Sequence, residues 1–175
     1  AGHYRRLQPA KVVGITGTNG KTTTKELIAA ILNVAGSTHK TSGNLNNLIG
    51  APLSLLGIEA ATRFAVIEMG TNQPGEIARL TAMVAPDVAV LTNVGPGHLE
   101  GLGSIEGVLR EKECIFNGVT AGGWAVYNPT APSVQGIKIP AGLKTMTFSL
   151  DGATDVRLGR MLTEDLNGSR FEADL

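Results

Sequence analysis

The run Gly14-Ile15-Thr16-Gly17-Thr18-Asn19-Gly20-Lys21-Thr22-Thr23 sets three glycines, a lysine and neighbouring hydroxyls at a seam. Before it lies an apolar stretch, residues 12–15, and after it a run with helical periodicity that begins near Thr22. Glycines let a backbone bend sharply and turn its N–H groups toward an anion, a lysine adds a mobile positive charge, and a hydroxyl beside it can ligate Mg2+. The chemistry of such a loop is the holding of a nucleotide's phosphates. Its spacing is a variant, because the pattern G-x-x-x-x-G-K-[ST] wants glycine at position 15, where isoleucine stands between Gly14 and Gly17.

Other residues are out of keeping with their surroundings. Glu68 closes an otherwise apolar run over residues 64–69 and is followed by Gly70, Asn72 and Gly75. Mg2+ on a nucleotide takes one or two protein carboxylates or hydroxyls beside the phosphate oxygens, which suits Glu68 with Thr22; a solvated glutamate at a strand end is the plainer alternative. His98 follows the apolar run 88–94 in a loop shaped by Gly95, Pro96 and Gly97, a place suited to a metal or phosphate contact, whereas His3 and His39 have no such context. Lys112 falls in the middle of a helical arc made by Ile105, Val108, Leu109, Ile115, Phe116 and Val119, with Arg110, Glu111, Glu113 and Cys114 outside it. An amine in apolar surroundings is disfavoured as a cation and becomes more nucleophilic, which opens it to carbamylation by CO2. The alternative is a lysine that carries its head to the rim of the core. Asn44, Asn46 and Asn47 lie in the run Gly43-Asn44-Leu45-Asn46-Asn47 and suit either amide contacts to a ligand or a capped turn.

The elements that must position these residues alternate. A helix runs from the loop to Gly36, with Leu27, Ile28, Ile31, Leu32 and Val34 at helical spacing. The runs 64–69 and 88–94 read as strands buried on both faces, Pro74 and Glu76 open a helix carrying Ile77, Leu80 and Val84, and a further helix over 104–119 precedes a strand at 124–128. The pattern implies an α/β fold with a doubly wound, mostly parallel sheet and ligand sites at the carboxyl ends of its strands. From about residue 136 the segments 145–150, 156–162 and 169–175 are β-rich, with Asn167-Gly168 as the expected hairpin turn.

The chain has 175 residues, 42% of them hydrophobic and 17% charged, enough for one substantial core. Fifteen basic residues balance fifteen acidic ones, so no overall field recruits nucleic acid or an anionic membrane. Cys114 is the single cysteine, which excludes an internal disulfide and fits a reducing compartment. No apolar run reaches the roughly 18 residues of a membrane span and no signal peptide is visible, so the cytoplasm is the expected location. The chain opens on Ala1 and its last residues alternate as though a strand were under way, so a piece of a longer protein is expected. In that reading residues 1–11 are a linker from a preceding domain, 12–135 the nucleotide-binding core, and 136–175 a β-rich extension of the same domain.

Together, Gly17-Thr18-Asn19-Gly20-Lys21-Thr22-Thr23, the run from Gly43 through Asn47 to Ile49, Gly50, Pro52 and Leu53, Glu68-Met69-Gly70, and His98-Leu99-Glu100-Gly101 with Gly103-Ser104 resemble the central ATPase domain of the Mur ligases. Within that family the asparagine-rich loop is most similar to the member that adds D-alanyl-D-alanine. The resemblance implies a cytoplasmic step of peptidoglycan synthesis, in which ATP phosphorylates the carboxylate of a UDP-MurNAc-tripeptide and the amine of D-Ala-D-Ala attacks the acyl phosphate. It implies that Gly17, Thr18, Asn19, Gly20, Lys21, Thr22 and Thr23 hold the phosphates, that Thr22 and Glu68 hold one Mg2+, and that His98 helps to hold a second. It implies a carbamate on Lys112, a substrate side at Asn44, Asn46 and Asn47, and a place near the nucleotide base for Asn128. After Asn128 the chain departs from the family, with Pro129-Thr130-Ala131-Pro132 where alanine and paired aspartates are usual. Since family members read the sugar nucleotide and the incoming amine through other domains, nucleotide binding without amide ligation is expected of this chain alone. The alternatives are the diaminopimelate- or lysine-adding sister ligase, a folylpolyglutamate or cyanophycin synthetase, and a nucleotide switch of the GTPase kind, whose Asn-Lys-x-Asp base-reading motif is absent.

Overall fold

The computed structural model describes residues 1–175 except Asp151, Leu166, Asn167 and Leu175, together with the side chains of Asp165 and Ser169. The expected turn at Asn167-Gly168 therefore lies partly outside the described residues, as does the end of the segment 169–175. In chain order the elements are α1 Gly2–Leu7, β1 Lys11–Thr16, α2 Lys21–Ala35, β2 Thr38–Lys40, α3 Gly50–Leu56, β3 Phe64–Glu68 and α4 Glu76–Val84. They continue with β4 Val88–Leu91, α5 Leu99–Leu102, α6 Ile105–Glu113, β5 Trp124–Tyr127, β6 Lys144–Ser149, β7 Val156–Asp165 and β8 Gly168–Asp174.

The strands form one sheet in the order β2-β3-β1-β4-β5-β6-β7-β8. Every neighbouring pair is parallel except β7 with β8, so the mostly parallel sheet and its β-rich end are as expected. Strand β1 lies between β3 and β4, and the chain crosses over it in passing from one to the other. The carboxyl end of β1 is thus a switch point, the place in such sheets where a crevice opens for ligands.

Alternation along the central strands explains why they are apolar throughout. Val12, Ala65, Ile67, Ala89 and Leu91 face a large core closed by α3, α4 and α6, while Ile15, Val66 and Val90 face a smaller one under Ala29 of α2. In α4 the predicted Ile77, Leu80 and Val84 are all fully buried.

One expectation gives way. Of the apolar arc predicted for the first helix, Ile28 and Leu32 pack on the smaller core, but Leu27, Ile31 and Val34 are exposed, Val34 to 90%. The buried positions of α2 are Lys25 and Ala29, because the helix lies close on the sheet with its small residue inward and its lysine ion-paired. The stretch read as a linker carries α1, docked by Arg5 Nε donating to the Val84 carbonyl at 3.0 Å and by Tyr4 Oη donating to the Ile58 carbonyl. Among the described residues no helix is long and apolar enough to cross a membrane.

Candidate nucleotide and metal site

Residues 17–20 form the turn from β1 into α2, whose N-cap is Gly20. The turn is braced by the end of β4. Thr18 N donates to the Asn93 carbonyl at 3.1 Å, Asn19 N to Asn93 Oδ1 at 2.9 Å, Thr92 Oγ1 to the Asn19 carbonyl at 2.7 Å, and Gly95 N to Thr18 Oγ1 at 3.0 Å. Gly17 is required by close approach, since a Cβ there would stand 1.9 Å from Thr92 Oγ1. Thr92 and Asn93 were not singled out from the sequence; the signal available was their place at the carboxyl end of a buried strand.

Two lysines meet at this turn. Lys21 Nζ donates to the carbonyls of Gly17 at 2.8 Å and Thr18 at 3.0 Å, and Lys112 Nζ, reaching in from α6, donates to the same Gly17 carbonyl at 3.0 Å. Lys112 is 1% exposed, so it does not carry its head to the rim. Burial first, and then repulsion by Lys21, bring its pKa from 10.5 down to about 8, with Glu111 opposing. Burial also lowers that of Lys21, against the pull of Glu68. Two ammonium groups on one carbonyl make a place where a bound polyanion offsets their repulsion.

Glu68 is 1% exposed at the end of β3, not the solvated glutamate of the plainer alternative. Its Oε2 accepts from Thr22 Oγ1 at 3.0 Å and its Oε1 from Asn46 Nδ2 at 2.8 Å, while Lys25 Nζ lies 3.7 Å from Oε2. A hydroxyl and a carboxylate side by side at the mouth of the cradle are the hard oxygen donors that Mg2+ takes, and they fit that ion. Among the described residues no three His, Cys, Asp or Glu side chains gather into a cage. An ion that keeps phosphate and water oxygens needs none.

A cavity of about 300 Å³ opens beside Glu68, lined by Lys21, Asn44, Asn46, Asn47, His98 and residues of the loop after β3. His98 holds a left-handed backbone, φ 57°, and its carbonyl accepts from Gly101 N and Leu102 N, so the αL turn aims the chain into α5. The three asparagines divide their tasks. Asn47 Oδ1 accepts from Ile49 N and Gly50 N at the start of α3, the capped turn of the two readings; Asn46 binds Glu68; Asn44 is exposed to the cavity. Thr23 is exposed on α2.

One predicted placement changes. Glu111, expected outside the buried arc of α6, is 5% exposed and accepts from Gly75 N at 2.6 Å, Ile77 N at 2.7 Å and Thr71 Oγ1 at 3.3 Å. It caps the first turn of α4, where orphan N–H groups favour a carboxylate. Asn128, just beyond β5, accepts at Oδ1 from Thr130 N and Oγ1, closing the turn at Pro129, and does not line the recess beside the cradle. The recess beside the cradle, about 440 Å³, is walled instead by Ile28, Val90, Val126 and Phe148, with Asn19 and Asn93 among its polar groups.

The Mur ligase middle domain family matches residues 15–174. A UDP-N-acetylmuramoyl-tripeptide–D-alanyl-D-alanine ligase of Bacillus subtilis is 46% identical over 132 residues, 75% of this chain and 29% of its own. The Escherichia coli enzyme of the same name is 45% identical over 128 residues, 73% of this chain and 28% of its own. The chain thus spans under a third of the length of these relatives. Among solved structures, the MurF ligase of Thermotoga maritima in complex with ADP superposes with a TM-score of 0.87 at 34% identity, over 98% of this chain and 40% of that one. An L. casei FPGS, at 18% identity and a TM-score of 0.70, shares the fold.

Proposed function

The chain belongs to the Mur ligase middle domain family, and from that premise we propose that it is the ATP-binding domain of a cytoplasmic ligase of peptidoglycan precursors. The ligase activates the carboxylate of UDP-MurNAc-tripeptide as an acyl phosphate and joins it to the amine of D-Ala-D-Ala. The observation that carries this reading is the meeting of Lys21 and Thr22 with Glu68 and Lys112, from three separate segments of the sequence, around the carboxyl end of β1.

In this reading the N–H groups of residues 17–23 and the Lys21 ammonium hold the terminal phosphates, once Lys21 leaves the loop carbonyls it binds here. Thr22 Oγ1 and Glu68 would hold Mg2+, and a second ion at His98 would take Lys112, as a carbamate, only once that side chain leaves the Gly17 carbonyl it binds here. Bound there, the ions neutralise charge on the transferring phosphoryl group. The chain's own contribution is to fix the phosphates against the acceptor carboxylate and to exclude water from beneath the cradle, where Lys112 is enclosed. The nucleotide base takes the apolar recess at Ile28, Val90, Val126 and Phe148, with Asn128 just beyond the strand that carries Val126. Asn44 and Asn46 face the acceptor. The domains that read the tripeptide and the dipeptide lie outside residues 1–175, so this chain by itself binds nucleotide without forming amide.

The choice among ligases is tested by turnover of an enzyme carrying this chain as its nucleotide domain. ADP release must require both the tripeptide and D-Ala-D-Ala. Equal release with diaminopimelate, lysine or glutamate in place of the dipeptide would contradict the assignment.

A further inference from the structure

Lys25 stands one helical turn beyond Lys21 on α2, and its side chain is fully buried. It does not join Lys21 and Lys112 at the Gly17 carbonyl. Its Nζ donates to the carbonyl of Gly43 at 3.2 Å and lies 3.3 Å from Glu26 Oε1 and 3.7 Å from Glu68 Oε2. A buried ammonium is costly unless paired and hydrogen-bonded, and these contacts meet both conditions. A lysine that only filled space at a sheet–helix contact would be better served by methionine.

What Lys25 touches is the entry of the asparagine loop. Gly43 has φ 52° with open space around a would-be Cβ, so glycine serves the backbone turn there. Beyond it the loop is fastened twice more, by Asn46 Nδ2 to Glu68 Oε1 and by Gly70 N to the Asn46 carbonyl at 2.8 Å. Both of these fastenings lie on Glu68 or within two residues of it. Among the described residues Lys25 is the side-chain tie between the loop's entry and that carboxylate, beside the bond from Glu68 N to Thr41 Oγ1.

We propose that Lys25 is a positioning residue that fastens the entry of the 43–47 loop to the Glu68 carboxylate, so that the metal-side carboxylate and the substrate-side amides hold one arrangement beside the cradle. Its functional consequence rests on the nucleotide and substrate reading given above; the fastening itself does not. Lys25 acts through Glu68 and Asn46 and touches no reacting atom.

The test is amide hydrogen exchange on this chain, with Lys25→Met and Lys25→Arg beside the wild type. In the wild type the amides of Asn46 and Gly70 should be protected within about tenfold of the Glu68 amide, which donates to Thr41 Oγ1. In Lys25→Met those two amides should exchange at least about tenfold faster while Ile15 and Val66, at the sheet centre, change by less than about threefold. Lys25→Arg, which keeps the charge and the donors, should recover most of the protection. If Lys25→Met does not fold, Lys25→Gln stands in with the same expectations. Wild-type loop amides that exchange as in an unfolded chain, a variant that speeds sheet and loop alike, or one that leaves the loop unchanged would each overturn the proposal. A second readout is ADP affinity with and without Mg2+: Lys25→Met should lose about fivefold or more of the Mg2+ enhancement with Mg2+-free binding unchanged. A wild-type chain that binds no ADP but shows the loop response removes the nucleotide reading and leaves the fastening in place; ADP binding with no loop response does the reverse.

Discussion

Replacing Lys112 by methionine removes an ammonium that the fold holds against its preference. With a pKa of about 8 in the folded chain and 10.5 when free, the folded state binds fewer protons than the unfolded state between those values. Unfolding free energy therefore rises with pH through that window. Below about pH 8 the amine is charged in both states and the full penalty is present; above about 10.5 it is neutral in both and the penalty is gone. The gap corresponds to about 3 kcal/mol, of which about 1 kcal/mol is relieved between pH 7 and pH 9. Urea unfolding of wild type and Lys112→Met at pH 7, 8 and 9 reads this directly, provided the m values agree. The wild type should gain about 1 kcal/mol more than the variant over that range. Parallel pH curves for the two proteins would refute the claim that burial and Lys21 depress this amine.

The same depression leaves roughly a tenth of Lys112 as free amine at pH 7, against about one part in three thousand for an ordinary lysine. 13C-bicarbonate should therefore give a carbamate signal that Lys112→Met lacks, and a spectrum equal in both would remove the carbamate role. Glu111→Gln, which leaves one acceptor oxygen for three donors, should lower stability by about 1–3 kcal/mol in urea unfolding and speed exchange at Gly75 and Ile77. Gly17→Ala, whose methyl meets Thr92 Oγ1, should displace that hydroxyl from the Asn19 carbonyl and weaken ADP binding by about tenfold or more by calorimetry.

Much of the site was legible because its residues contradict their local patterns. A carboxylate ending an apolar strand and a lysine inside an apolar arc are visible without a structure, and Glu68 and Lys112 both lie at the crevice. What local pattern cannot show is which distant group satisfies a buried charge. Nothing in its local pattern marks Lys25, because the loop carbonyl and the carboxylate it meets lie 18 and 43 residues away. Glu111 falls outside the apolar arc of α6 because helical phase describes its own element and not the N–H groups at the start of α4 that approach it. Phase alone also misplaced Leu27, Ile31 and Val34, since the face α2 turns inward is decided by Ala29 and by the ion pair at Lys25. For the asparagine loop both readings hold, at different residues: Asn47 caps a helix and Asn46 binds the carboxylate. The contact of Asn128 Oδ1 with Thr130 is likewise invisible to a carried-over position, since it depends on the residue this chain has two places on.

The claim at the centre is that the turn after β1 holds a nucleotide's phosphates with a divalent ion shared by Thr22 and Glu68. Titration of ADP into the chain with and without Mg2+, followed by the amide chemical shifts of residues 17–23, tests it most directly. Mg2+ should tighten binding with the shifts centred on those amides, and Glu68→Gln should abolish the Mg2+ enhancement while leaving the Mg2+-free shifts in place. Equal affinity with and without Mg2+ in the wild type, or shifts that avoid residues 17–23, would contradict it.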